Sequence, residues 1–198
     1  LITLNNESVN IQPGAMQWYV GDVHQSTGLK GIGDTIKKFF NAQVTGESTI
    51  KPQYEGTGVI VTEPSYKHYI IEDLDDWNGA MCVEDGLYCA SETKVNLSTS
   101  MIKSVSGQTI GDEGLFNLCL KGSGKVVLEC DVPQEELITI DLHNDTLKID
   151  GSFAIAWSEN LDFTVERSGK TLIGSAVSGE GLVNVYRGTG RVLIKPQI

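Results

Sequence analysis

Histidines, cysteines and carboxylates are the residues of this 198-residue chain whose types could do chemistry. The histidines are His24, His68 and His143. A metal site of the cupin kind needs two or three histidines and a carboxylate converging on one point. These three are isolated, form no H-x-H pair and read as surface or strand-end residues; a cupin-like metal-binding enzyme is the alternative. The cysteines, Cys82, Cys89, Cys119 and Cys130, show no C-x-x-C pair and no zinc spacing. Their apolar neighbours favour buried free thiols in a reducing compartment, with a disulfide in the middle of the chain as the other reading. Neither Cys89 nor Cys119 has a neighbouring histidine to make it a thiolate.

The carboxylates lead to the same place. The run Glu72 to Trp77, before Asn78-Gly79, misses the spacing of a calcium loop and reads as a solvated turn. Glu47, Glu113 and Glu180 recur at related places without a partner acid or base. They are expected to accept backbone N–H bonds at turns, or to form a weak cation ring about a threefold axis. No G-x-S-x-G elbow occurs. The chain is therefore expected to be no enzyme, with no catalytic residue, no metal and no cofactor.

The formal net charge is −11, so a nucleic-acid-binding regulator is disfavoured, because phosphate contacts need a positive footprint. The densest basic cluster is Lys30, Lys37 and Lys38. Hydrophobic residues make up 40%, which is globular composition, and the 22 glycines among many Val, Ile and Thr point to short strands and turns. No run of 18 apolar residues is present, so neither a transmembrane helix nor a secretory leader is expected, and the expected location is cytoplasmic.

The elements that must position these residues repeat. Gly56/Gly58, Gly122/Gly124 and Gly188/Gly190 lie 66 residues apart each time, each pair enclosing Ser or Thr and followed by an apolar run. Three copies, each followed by a strand, are structural and not phosphate loops. The pattern predicts hairpin turns at these glycines, with the strands after them buried on both faces. A further hairpin is expected where Phe153 to Trp157 and Leu161 to Val165 frame the turn at residues 158–160. Another strand is expected over Leu137 to Leu142. The expected organisation is one body of three units, about 1–65, 66–133 and 134–198. One segment differs: Ile32, Ile36, Phe39 and Phe40 fall on one helical face, with Asp34 as N-cap and Lys37 and Lys38 in later turns. A short amphipathic helix over 32–42 is expected as an insertion in the first unit.

The C-terminal stretch from Ser178 to Gln197, with the segments Gly28 to Ser48 and Asp150 to Ala156, resembles a bacterial family. That family is related to the fungal mitochondrial biogenesis protein called altered inheritance of mitochondria twenty-four. The resemblance covers nearly the whole chain. It implies an all-β fold like that of the tryptophan RNA-binding attenuation protein (TRAP-like), a double-stranded β-helix or β-sandwich unit repeated three times. It carries over no catalytic residue. The expected role is a non-catalytic interaction or scaffold protein whose biochemical activity the residues do not specify. Its expected surface is Ile32, Ile36, Lys37, Lys38, Phe39 and Phe40, facing a protein partner, a second copy or a membrane surface.

Overall fold

The computed structural model describes residues 1–26, 51–101, 103–104, 116–167 and 182–196. Its regular elements there are fourteen strands and two short 3₁₀ turns, so the expected all-β class is what is seen. In chain order the strands are β1 (Ile2–Ile11), β2 (Met16–Ser26), β3 (Gln53–Thr62), β4 (His68–Asp73) and β5 (Ala80–Val83). Then come β6 (Tyr88–Glu92), β7 (Asn96–Met101), β8 (Lys103–Ser104), β9 (Phe116–Lys121) and β10 (Lys125–Cys130). The last four are β11 (Ile138–Asp150), β12 (Ala154–Ser158), β13 (Asp162–Arg167) and β14 (Leu182–Ile194). The expected helix over 32–42 lies outside the described residues, as do Glu47, Glu113 and Glu180.

Two sheets result. The first has the order β2-β3-β1-β6-β10-β4. The second runs β7-β9-β5-β12-β14-β13-β8, with β11 paired to β14. All described pairs are antiparallel except β13 with β8. The 66-residue spacing recurs in the strands: β6 and β12 begin at Tyr88 and Ala154, β7 and β13 at Asn96 and Asp162.

None of the glycine pairs makes a hairpin, which corrects the reading of Gly56, Gly58, Gly122, Gly124, Gly188 and Gly190 as such turns. Gly56 and Gly58 lie inside β3, and Gly188 and Gly190 inside β14. Gly122 and Gly124 link β9 to β10, which belong to different sheets. The physical reason is close backbone approach. At Gly56, with φ +131, an added Cβ would sit 2.0 Å from the Asp22 carbonyl oxygen on β2. Glycine here lets a strand bend through its neighbours without leaving the ladder. The residue between the glycines has its own task. Opposite Thr57, β1 bulges at Asn6 (φ 57), and the Asn6 N–H donates to Thr57 Oγ1 at 3.0 Å. Opposite Thr189, β11 bulges at Asn144 (φ 55), and its N–H donates to Thr189 Oγ1 at 2.9 Å. A hydroxyl thus takes up a donor that the bulge removes from the ladder.

The expected hairpin of residues 153–165 is also corrected. β12 and β13 do not pair with each other; both lie along one side of β14, at Val192–Ile194 and Leu182–Arg187. They form one long strand broken at residues 159–161. Its aromatic side chains close a core in which Phe163 stacks on Tyr186 at 4.9 Å and Trp157 packs on both. Two further cores lie around Trp77 and around Ile60.

Cys82 and Cys119 stand directly opposite each other on β5 and β9 and form a disulfide. This corrects the free-thiol reading for that pair, since adjacent strands bring two distant cysteines into register. Cys89 and Cys130 are buried free thiols, as expected.

Two predictions follow from this architecture. Gly56→Ala should cost about 2–3 kcal/mol through strain and backbone collision, lowering the thermal midpoint by roughly 4–10 °C; calorimetry checks it. Reduction of the Cys82–Cys119 bond, 37 residues apart in sequence, should lower the unfolding free energy by about 3–4 kcal/mol. Urea midpoints with and without dithiothreitol check that.

Candidate interaction surface

The histidines do not converge. His24 is on β2 and His68 on β4, the two edges of a six-stranded sheet, which five strand spacings put about 24 Å apart. His143 is on β11 in the second sheet. Among the described residues no three His, Cys, Asp or Glu come together as a metal site. Burial, reinforced by Glu129, pushes the Cys89 thiol up to about 12, far from a reactive thiolate.

The acidic run is a tie between the two sheets. Leu74 to Trp77 is a 3₁₀ turn whose Leu74 and Trp77 are buried, so it is core as well as solvated turn. Asp73 caps the turn by accepting from the Asp75 N–H at 3.1 Å. That N–H, with the Lys125 ammonium 3.3 Å away, holds the Asp73 carboxyl below its usual range. Ser123 Oγ donates to Asp75, and Trp77 Nε1–H donates to Glu72 Oε2 at 2.9 Å. From β14, the Arg191 guanidinium lies 5.9 Å over the Trp77 ring and bonds Asp141 at 2.9 Å. Arg191 thereby holds the Asp141 carboxyl low. Asp76, Asn78, His143 and Thr189 join them around an open groove of about 210 Å³. Its guanidinium is already committed to Asp141 and the Trp77 face, so the groove reads as a joint between elements.

The surface that stands apart is on β2. Residues Trp18, Tyr19 and Val20 are consecutive and exposed, at 50%, 42% and 61%. Tyr19 leans inward, edge-on to buried Tyr54 at 6.1 Å. Trp18 and Val20 point the other way. Beside them on β3 lie their register partners Val61 and Val59, both only half-buried. The expectation that strands after each glycine pair are buried on both faces therefore holds for Val192 and Leu193 of β14 but fails for β3. Val59 and Val61 form the outer, partly wet face of that strand. The expected surface residues Ile32, Ile36, Lys37, Lys38, Phe39 and Phe40 lie outside the described residues. Sequence reading missed the β2 surface because Met16 to Ser26 is an ordinary half-apolar strand by pattern. The adjacent Trp-Tyr-Val triplet, which breaks alternation, was the available signal.

A family profile described as mitochondrial biogenesis AIM24 matches residues 1–197. An uncharacterised protein of Streptococcus pyogenes serotype M6 is 28% identical over 196 residues, covering 95% of this chain and 76% of that protein. An X-ray structure of a Streptococcus pyogenes protein from a structural genomics consortium aligns with a TM-score of 0.68 at 24% identity. The alignment covers 98% of this chain and 86% of that one, and shows a shared fold. No helix among the described residues is long and apolar enough to cross a membrane.

Two carboxylates of the joint, with Glu166 on β13, set an acid limit. Asp73, Asp141 and Glu166 are all held low in the folded state, by Asp75 N–H, Arg191 and Arg187 respectively. Their stabilisation is present above the unfolded carboxylate range and is lost as pH falls through the depressed folded values. Asp141→Asn should therefore cost under about 1 kcal/mol at pH 7, the pair being largely exposed, and progressively less as pH falls through the depressed folded value of Asp141. Chemical denaturation of the two proteins across that range should give curves that converge on acidification.

Proposed function

The chain belongs to the mitochondrial biogenesis AIM24 family, and from that premise we propose that it works by contact and not by catalysis, as an interaction module. The outer face of β2 carries this reading. Trp and Tyr side chains dominate binding energy at protein interfaces, because they bury large area at low entropic cost. Here Trp18 stands half in water and Tyr19 partly so, on a strand that lies at the sheet margin among the described residues, beside Val20, Val59 and Val61. An apolar, aromatic edge of this kind is a place where soluble chains are matched by a partner surface.

The net charge shapes the partner. At −11 the chain repels polyanions at long range, so a protein surface fits better than a nucleic acid or an anionic bilayer. The amphipathic segment 32–40 follows β2 closely in the chain and extends the same proposal, which does not rest on it. Capture from native extract with wild-type protein and with Trp18→Glu tests the reading. A bound set retained by the wild type and lost at least tenfold in the variant, at unchanged circular dichroism, is the expected result. Equal retention by a folded Trp18→Glu would sink it.

A further inference from the structure

We propose that Cys82 and Cys119 are a reversible redox latch, through which small thiols set the lifetime of the fold without changing its shape. The inference does not rest on the interaction reading above. It begins with where the four cysteines lie. Cys82 and Cys119 belong to the core around Trp157. Cys89 belongs to the core around Ile60, and Cys130 to the core around Trp77. Cys89 and Cys130 stand on β6 and β10 of the first sheet, while the pair stands on β5 and β9 of the second. Each free thiol is thus shut in a core of its own. The pair can open and close without a third cysteine to exchange with.

The strands do not need the bond to stay aligned. On either side of it, Met81 pairs with Leu120 and Val83 with Leu118. By strand alternation these four side chains point away from the sulfurs, and they are buried in the core around Trp77. β7 holds the other side of β9 over its whole length. Opening the bond therefore leaves two thiols facing each other, and closure within the chain outruns capture by a second molecule. Among the described residues Cys82, and not Cys119, lines a cavity of about 140 Å³. A small thiolate, RS⁻, attacks there. The bond Cys82–S–S–R forms, the bond to Cys119 breaks, and Cys119 leaves as a thiolate that takes a proton. A second thiol attacks the R sulfur, giving RSSR and the Cys82 thiol. Two electrons and two protons pass from two RSH to the pair, and RSSR reverses the sequence.

What the latch changes is the unfolded chain. The bond joins residues 37 apart in sequence, and opening it frees that loop only in the unfolded ensemble. The folded shape is kept while the time spent unfolded rises, and that time is what a protease reads. The test holds the native protein in buffers of reduced and oxidised glutathione at set ratios. Thiols are counted with Ellman's reagent, the fold is followed by far-ultraviolet circular dichroism, and cleavage by subtilisin is timed. The expected result is two thiols per chain in reduced buffer at an unchanged spectrum, and none after return to oxidised buffer. Cys89 and Cys130 should react only in denaturant. Cleavage should be at least ~100-fold faster in the reduced state. The double variant Cys82→Ser, Cys119→Ser should be cleaved at the reduced rate in every buffer. A bond that yields only when the chain unfolds, a reduced pair that does not re-form, or equal cleavage of the two states would each overturn the inference. So would a serine variant whose cleavage still follows the glutathione ratio. Should that variant not fold, the two states of the wild type decide alone.

Discussion

Two strands in this fold touch backbone to backbone, and that contact sets what the rest can do. β3 passes so close to β2 at Gly56 that no side chain could stand there. The bulge opposite, at Asn6, would leave a ladder donor without its acceptor, and the Thr57 hydroxyl supplies one. The same arrangement recurs at Thr189 and Asn144. A bent strand kept in register by one hydroxyl can pair with a long neighbour along its whole length. β14 shows the result, with β11 on one side and β13 followed by β12 on the other. In the middle of the chain the bend goes further. The strand breaks at Gly122–Gly124, and its halves enter different sheets.

That break has chemical consequences. Once β9 and β10 diverge, something must hold the sheets together at the parting. The 3₁₀ turn from Leu74 to Trp77 lies there: Ser123 donates to the Asp75 carboxylate, Lys125 to that of the cap residue Asp73, which accepts the Asp75 N–H, and Arg191 is laid over Trp77. The Cys82–Cys119 bond ties β5 to β9 beside it. Exposed ion pairs of this kind contribute little each; the buried Leu74 and Trp77 anchor the turn. The acidic groove, which on composition alone invites a ligand, is in this light a joint.

The region of β1, β2 and β3 departs from the rest. β14 is flanked on both sides and buried at Val192 and Leu193, while β3 leaves Val59 and Val61 half in water. Among the described residues β2 lies beyond it at the margin of that sheet, where β4 at the other margin holds the Gln134 carboxamide.

Much of this was legible in the residues. The 66-residue period, the all-β class and the structural nature of the glycines follow from glycine chemistry and β-rich patterning, which are local properties. Burial of Cys89 and Cys130 followed from their apolar neighbours in the same way. What glycine does at a given site was not legible, because a turn and a close crossing ask for the same residue. Only the pairing shows that Gly56 meets Asp22 and that β12 and β13 share a side of β14. The Cys82–Cys119 register and the Gln134 cover on β4 join residues 37 and 63 positions apart, and no local pattern encodes such distances. The exposed face of β2 is of that second kind. Trp18 and Val20 are ordinary strand residues by sequence, and their exposure among the described residues was decided by the register in which β2 pairs with β3.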